Sequence, residues 1–234
     1  MESPIDVVIV ERRELRGLER VFRDRSHAGL VLAEMLSEFS GSNGVVLAVP
    51  AGGVPVAVEV ARELGLALDV VVVSKITLPW NTEAGYGAVA ADGTVAVNRT
   101  LAARVGLGEH DIEAGVAATR EKVERRSTRF RGDESWPPMT ARPVIVIDDG
   151  LASGYTMMVA LRALQSFEPG QLIVAVPTAP ADTVDRVAER VDAVYCANIR
   201  SRRPYAVADA YELWRDVPEA TAVELFRRHR FGSP

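Results

Sequence analysis

The chain has 234 residues, 48% of them hydrophobic and 25% charged, with a formal net charge of −5. Such a length buries one good-sized core plus a small appendage, and the acidic balance argues against a general nucleic-acid binder. A single cysteine, Cys196, excludes an internal disulfide framework and fits a reducing compartment. Its place at the end of an apolar strand predicts a buried, inert thiol. His27, His110 and His229 have no ligand-like spacing with it, so no zinc site is readable. No run approaches the roughly 20 apolar residues of a membrane span. Glu2 and Asp6 near the start are unlike a secretory signal, so a cytoplasmic protein is the expectation.

In chain order, residues 1–21 read as an N-terminal extension: a short strand, Val7–Val10, then the charged run Glu11–Arg20. Ala28, Leu32, Met35, Leu36 and Phe39 fall at helical spacing, with Asp24 and Ser26 available as caps. After the turn Gly41–Gly44 comes strand Val45–Val49, a Gly-rich loop, and a helix from Pro55 to Leu64 closed by Gly65. Strand Asp69–Val73 follows, then a hairpin from Gly87 to Asn98 around Asp92-Gly93. A long helix over Glu109–Arg129 places Ile112, Val116 and Val123 on one face, and Gly132–Arg142 is a loop. Strand Val144–Ile147, a helix from Met157 to Ser166, strand Leu172–Val176, helix Pro180–Arg190 and strand Ala193–Ala197 complete the core.

Strands Val45–Val49, Asp69–Val73, Val144–Ile147 and Leu172–Val176 are continuous apolar runs, the pattern of strands covered on both faces. Strand–helix alternation around them predicts an α/β fold with a doubly wound, mostly parallel sheet. Ligands of such sheets bind at the carboxyl ends of the strands, where the distinctive loops lie.

The most informative loop follows Ile147: Asp148-Asp149-Gly150-Leu151, then Ala152-Ser153-Gly154-Tyr155-Thr156. Ala152–Thr156 can wrap backbone N–H groups around a phosphate monoester, with two hydroxyl donors and a helix N-terminus adding to them. The adjacent carboxylates would repel that phosphate but accept hydrogen bonds from sugar hydroxyls beside it. A sugar phosphate fits both. The run resembles the 5-phosphoribosyl-1-pyrophosphate (PRPP) signature of type I phosphoribosyltransferases, an apolar strand, Asp-Asp, and a turn ending Ser/Thr-Gly-x-Thr.

Two further loops support the resemblance. Ala51-Gly52-Gly53, directly after a buried strand, lets the backbone approach a ligand closely. The corresponding family loop holds pyrophosphate. A subgroup of predicted phosphoribosyltransferases also begins near Phe-Arg-Asp-Arg-x-His-Ala-Gly, as Phe22–Gly29 does here, but often carries arginine where this chain has Ala51. The departure removes a guanidinium that would pair with pyrophosphate. Lys75, read as lying at the end of a buried strand, is similar to the family lysine that faces pyrophosphate. Trp80–Gly87 has hinge-capable glycines and would form a water-excluding lid, part of a lid and hairpin over residues 76–98.

The basic stretch Arg120, Lys122, Arg125, Arg126, Arg129 and Arg131 is interleaved with Glu113, Glu121 and Glu124, which makes a solvated helix face. One or two of these arginines could reach pyrophosphate, and the sequence does not say which.

The resemblance covers Phe22 to Ala197, with extension to Phe226, and implies a core over residues 22–200 and a C-terminal hood over 201–234. It implies displacement of pyrophosphate from ribose C1 by a nitrogen acceptor, a nucleobase of a salvage route, and a homodimer. Catalysis falls to Asp148, Asp149 and Lys75, the 5-phosphate to Ala152–Thr156, and the pyrophosphate to Ala51, Gly52, Gly53 and Lys75. Mg²⁺ would bind through PRPP oxygens and water, with Asp148 and Asp149 as the available protein carboxylates, rather than in a protein cage. The tail from Tyr205 to Asp216 is similar to the hypoxanthine-type tail, so Tyr205 would stack on the base and Glu212 contact it or the metal. Core aromatics give the same pattern. Two other readings compete: a regulatory protein that senses PRPP or a nucleotide without catalysis, and a haloacid-dehalogenase-like phosphatase. The second would need Asp-x-Asp near the first strand, which this chain lacks.

Overall fold

The computed structural model describes residues 7–201 and 204–231, leaving the first six residues of the N-terminal extension, residues 202–203 and residues 232–234 of the tail outside the description. The frame is a six-stranded parallel sheet in the order β1 (Val8–Val10), β9 (Ala193–Arg200), β8 (Gln171–Pro180), β7 (Pro143–Ile147), β2 (Val45–Ala48) and β3 (Ala67–Val70). Every residue of β2 and all of β7 after Pro143 are buried, as continuous apolar runs between two helical layers should be. Helices α1 (Arg25–Met35), α2 (Gly53–Leu64), α4 (Glu109–Arg131) and α7 (Glu219–Phe231) share one core cluster, and α5 (Tyr155–Gln165) and α6 (Ala181–Ala188) pack into the other.

Local signals act where the sequence places them. The Asp24 carboxylate caps α1 by accepting the His27 N–H at 2.8 Å. Gly65 ends α2 with φ +66°, a left-handed value that glycine adopts without steric cost. Cys196 is buried in β9, and burial pushes its thiol up to about 12, the inert state expected of it. Among the described residues, no helix is long and apolar enough to cross a membrane.

Two predicted elements are corrected. Asp69–Val73 is not one strand: the parallel β3 ends at Val70, and Val73 opens β4 (Val73–Leu78) of a separate antiparallel sheet with β5 (Asn81–Ala90) and β6 (Val95–Val97). Val71 and Val72, the residues between, are fully buried, so the apolar run carries no polar mark where the chain changes sheets. The predicted lid Trp80–Gly87 is largely strand β5, paired with β4 on one side and, from Gly87 on, with β6 on the other. Gly87 is a close-approach residue there: a Cβ would lie 2.7 Å from the Ala96 carbonyl and from Ile76 Cδ1. The β5–β6 turn at Asp92-Gly93 forms where the hairpin signal put it. The short helix α3 (Arg99–Arg104) then leads into α4.

Candidate active site

The carboxyl ends of β2 and β7 deliver the Gly-Gly loop and the Asp-Asp loop to the same point. Gly53 sits so close to β7 that a Cβ would lie 2.7 Å from the Ile147 carbonyl and 2.9 Å from Asp148 Cα. At Gly52 a Cβ would fall on the Asp149 carboxylate. Both glycines have ordinary negative φ, so contact with the acids, not backbone conformation, requires them. The Pro50–Ala51 peptide is cis.

The two acids differ in their partners. Asp149 forms an ion pair with Arg25, whose Nε and Nη2 lie 2.8 and 2.7 Å from Asp149 Oδ2. Arg25 Nη1 donates to the Arg215 carbonyl at 2.7 Å, and its guanidinium lies 3.9 Å from the Trp214 ring centroid. The Tyr211 hydroxyl donates to the Asp149 carbonyl at 2.6 Å. Asp148 has no ion pair among the described residues; its Oδ1 accepts the Asp149 N–H at 2.9 Å. Burial, reinforced by the charge of Asp149, raises the Asp148 carboxyl well above the usual carboxylate range. Burial also raises Asp149, against the lowering effect of Arg25.

This asymmetry is measurable. A raised folded-state value means Asp148 costs stability as pH climbs from the unfolded carboxylate value towards the folded one, and the full cost persists above it. Asp148→Asn is therefore expected to raise the melting temperature at pH 8, by about 2–4 °C for each kcal/mol relieved. The gain should vanish near pH 4, which thermal melts across pH will read.

The turn after the acids is braced from α6. Thr183 Oγ1 donates to the Ala152 carbonyl at 3.0 Å, and Arg186 Nη2 to the Ser153 carbonyl at 3.2 Å. Gly154 has φ +70°, and a Cβ there would meet Thr183 Cγ2 at 2.7 Å. Tyr155 starts α5, and its hydroxyl donates to the Ala96 carbonyl at 3.3 Å.

Two cavities flank this turn. A cleft of about 310 Å³ on the β2 side is floored by Val49, Pro50, Asp148 and Thr156, with Ser74, Lys75 and Thr77 of β4 and Lys122 and Arg126 of α4 as its walls. A larger cavity of about 690 Å³ opens over the ends of β8 and β9, lined by Ala152, Ser153, Thr183 and Arg186 on one side and Arg200, Ser201 and Tyr205 on the other. Strand β7 lies between β2 and β8, so cleft and cavity stand on opposite sides of the end of β7; Asp148 lines the cleft, and neither acid lines the larger cavity.

Most of the sequence-derived site residues therefore converge, with departures. Lys75 reaches the cleft from the middle of β4, exposed, rather than from the end of a parallel strand. Ala51 packs against the core and does not line the cleft. Tyr205 lines the larger cavity, whereas Glu212 is exposed and lines none of these cavities. Of the basic helix, Arg120, Lys122, Arg125 and Arg129 are exposed as expected, while Arg126 turns into the cleft and the Arg131 side chain, 8% exposed, lies 3.9 Å from Asp69. Arg25 escapes the sequence reading of the site, although it sits inside the Phe22–Gly29 motif. Among the described residues no group of three or more His, Cys, Asp or Glu side chains is gathered as for a metal ion.

No family model matches the chain. Two Mycobacterium tuberculosis proteins, provisionally named phosphoribosyl transferase, are 37% identical to it over 216 residues, which is 90% of this chain and 48% of each of those proteins. The chain thus spans about half the length of the curated relatives it matches. The crystal structure of TT1426 from Thermus thermophilus is similar at 34% identity and a TM-score of 0.71, covering 88% of this chain and 97% of that one. The AQ2163 protein of Aquifex aeolicus, at 10% identity and a TM-score of 0.50 over 89% of this chain and 85% of its own, shares the fold.

Proposed function

We propose that the chain is a phosphoribosyltransferase that transfers the 5-phosphoribosyl group of PRPP to a nitrogen acceptor with release of pyrophosphate, a reading supported by its 37% identity to two proteins provisionally so named. The observation that carries this reading is the placement of a cationic cleft, lined by Asp148 and Thr156, and a separate, larger cavity, lined by Ala152 and Ser153, on the two sides of the turn that follows the acid pair. Displacement at C1 brings the nucleophile to the face opposite the leaving group. A pyrophosphate departing into the cleft leaves the cavity beside Tyr205 for a planar base.

In this reading the Ala152–Thr156 turn holds the 5-phosphate through backbone N–H groups, the Ser153 and Thr156 hydroxyls and the start of α5. Asp149, its Oδ2 taken by Arg25, turns its other oxygen to the ribose hydroxyls, and Asp148 shares them. Lys75 and Lys122 balance the charge that grows on pyrophosphate as the C1–O bond breaks and the C1–N bond forms. The Gly52-Gly53 backbone packs beneath it, and the proton lost by the acceptor nitrogen passes to water. The donor set fits Mg²⁺: two adjacent hard carboxylates, one without a cation partner, suit an ion held chiefly by phosphate and ribose oxygens and water. Bound there, Mg²⁺ would neutralise pyrophosphate charge.

The test is pyrophosphate release from PRPP and Mg²⁺ across purines, pyrimidines and small amines. Release with at least one base is expected. PRPP binding seen by calorimetry with no release across the panel would favour the sensor reading instead. Asp149→Asn and Thr156→Ala are each expected to weaken PRPP binding about tenfold or more, since hydrogen bonds to charged groups contribute roughly 1.5–3 kcal/mol. Unchanged affinity in both variants would overturn the placement of the ribose phosphate.

A further inference from the structure

Resting on that reading, we propose that Arg126 of α4 is a pyrophosphate-binding residue that supplies the guanidinium position 51 lacks. Ala51 contributes only a methyl group, packed towards the core. The guanidinium of Arg126 stands one residue away: Nη2 lies 3.3 Å from the Pro50 carbonyl oxygen, and Nη1 lies 3.2 Å from Ser74 Oγ and 3.4 Å from the Val73 carbonyl. Its Nε is anchored at 2.6 Å by Glu219, at the start of α7. Burial opposes the charge of Glu219, yet Arg126 and Arg129 more than offset it and hold its carboxyl below the usual range.

The geometry separates anchor from working end. The Nε bond is short and charge-assisted. The Nη bonds are long and run to neutral oxygens, so they are weak. A pyrophosphate oxygen offers those Nη groups a charge-assisted bond about twice as strong. The side chain is 15% exposed and lines the cleft that also holds Lys75 and Lys122.

Calorimetry on the full chain with Mg²⁺ tests this, using sodium pyrophosphate and ribose 5-phosphate as separate probes. Arg126→Met is expected to weaken pyrophosphate at least tenfold and to leave ribose 5-phosphate within twofold. Arg126→Gln, which keeps a donor for Glu219, serves if the methionine variant does not fold and should show the same selective loss. Pyrophosphate binding unchanged in the variant or equal weakening of both probes would each overturn the assignment. Wild-type protein that binds ribose 5-phosphate but not pyrophosphate would overturn it while leaving the sugar-phosphate site intact. Binding of neither probe would overturn both.

Discussion

Arg25→Met is expected to destabilise the protein by about 3–5 kcal/mol, the usual cost of leaving one member of a buried ion pair without its partner. The pair qualifies as buried, because the side chains of Arg25 and Asp149 are 9% and 14% exposed. Loss of the contact with Trp214 adds to the cost. The informative readout is the pH dependence of PRPP binding. Accepting hydrogen bonds from two ribose hydroxyls requires Asp149 ionised, so affinity falls as pH drops through its folded-state value. Burial raises that value, and Arg25 is the main influence that lowers it. Without Arg25 the midpoint must move to higher pH. The double variant Arg25→Met/Asp149→Asn removes the uncompensated charge, so it should recover much of the stability and none of the affinity. A midpoint that stays put in Arg25→Met would reduce Arg25 to a packing residue.

Arg25 also ties the C-terminal segment to the acids. It holds the Arg215 carbonyl, stacks on Trp214 and grips Asp149, while Tyr211 bonds the Asp149 backbone. Phe22 bridges to Tyr211, so both sides of this clasp come from segments outside the central strands. Nothing in local sequence announces such a pair, because its members are separated by 124 positions. The Phe22–Gly29 motif is visible as a resemblance, yet the role of its second arginine depends on where α1 is docked.

Elsewhere legibility follows how local the cause is. Strands β2, β7 and β8 are readable because burial on both faces leaves apolar runs, and the C-terminal end of α2 and the β5–β6 turn because Gly65 and Asp92-Gly93 act within a few residues. The split between β3 and β4 is not, since Val70 to Val73 are all buried although the chain passes from one sheet to another. Reading the two as one strand also misplaces Lys75, although its arrival at the cleft survives. The glycines in Trp80–Gly87 read as hinges because hinge and close contact leave the same residue. In α4, the interleaved acids correctly mark a solvated face, but the partner that singles out Arg126 is Glu219, far along the chain.

The adjacent glycines of the loop after β2 should separate a loss of stability alone from one that also reaches binding. In Gly53→Ala the new methyl would press on backbone, with the Ile147 carbonyl at 2.7 Å and Asp148 Cα at 2.9 Å, and neither can move without breaking the register of β2 against β7. Overpacking of this kind costs typically 1–3 kcal/mol, or about 2–12 °C in melting temperature for a chain of this size. In Gly52→Ala the methyl meets the Asp149 carboxylate, a side chain that can turn away only by giving up Arg25. The expected result is a thermal loss at least as large as in Gly53→Ala, because breaking a buried ion pair costs about 3–5 kcal/mol, and with it a fall in PRPP affinity of about tenfold or more, matching the loss of a charge-assisted hydrogen bond. Adding Asp149→Ala to Gly52→Ala removes the clash but leaves the buried Arg25 without its partner, so the melting temperature should recover only in part and binding stay as weak as before. If Gly52→Ala bound PRPP like the wild type, Asp149 would have room to swing without consequence, and its proposed hold on the ribose hydroxyls would be wrong.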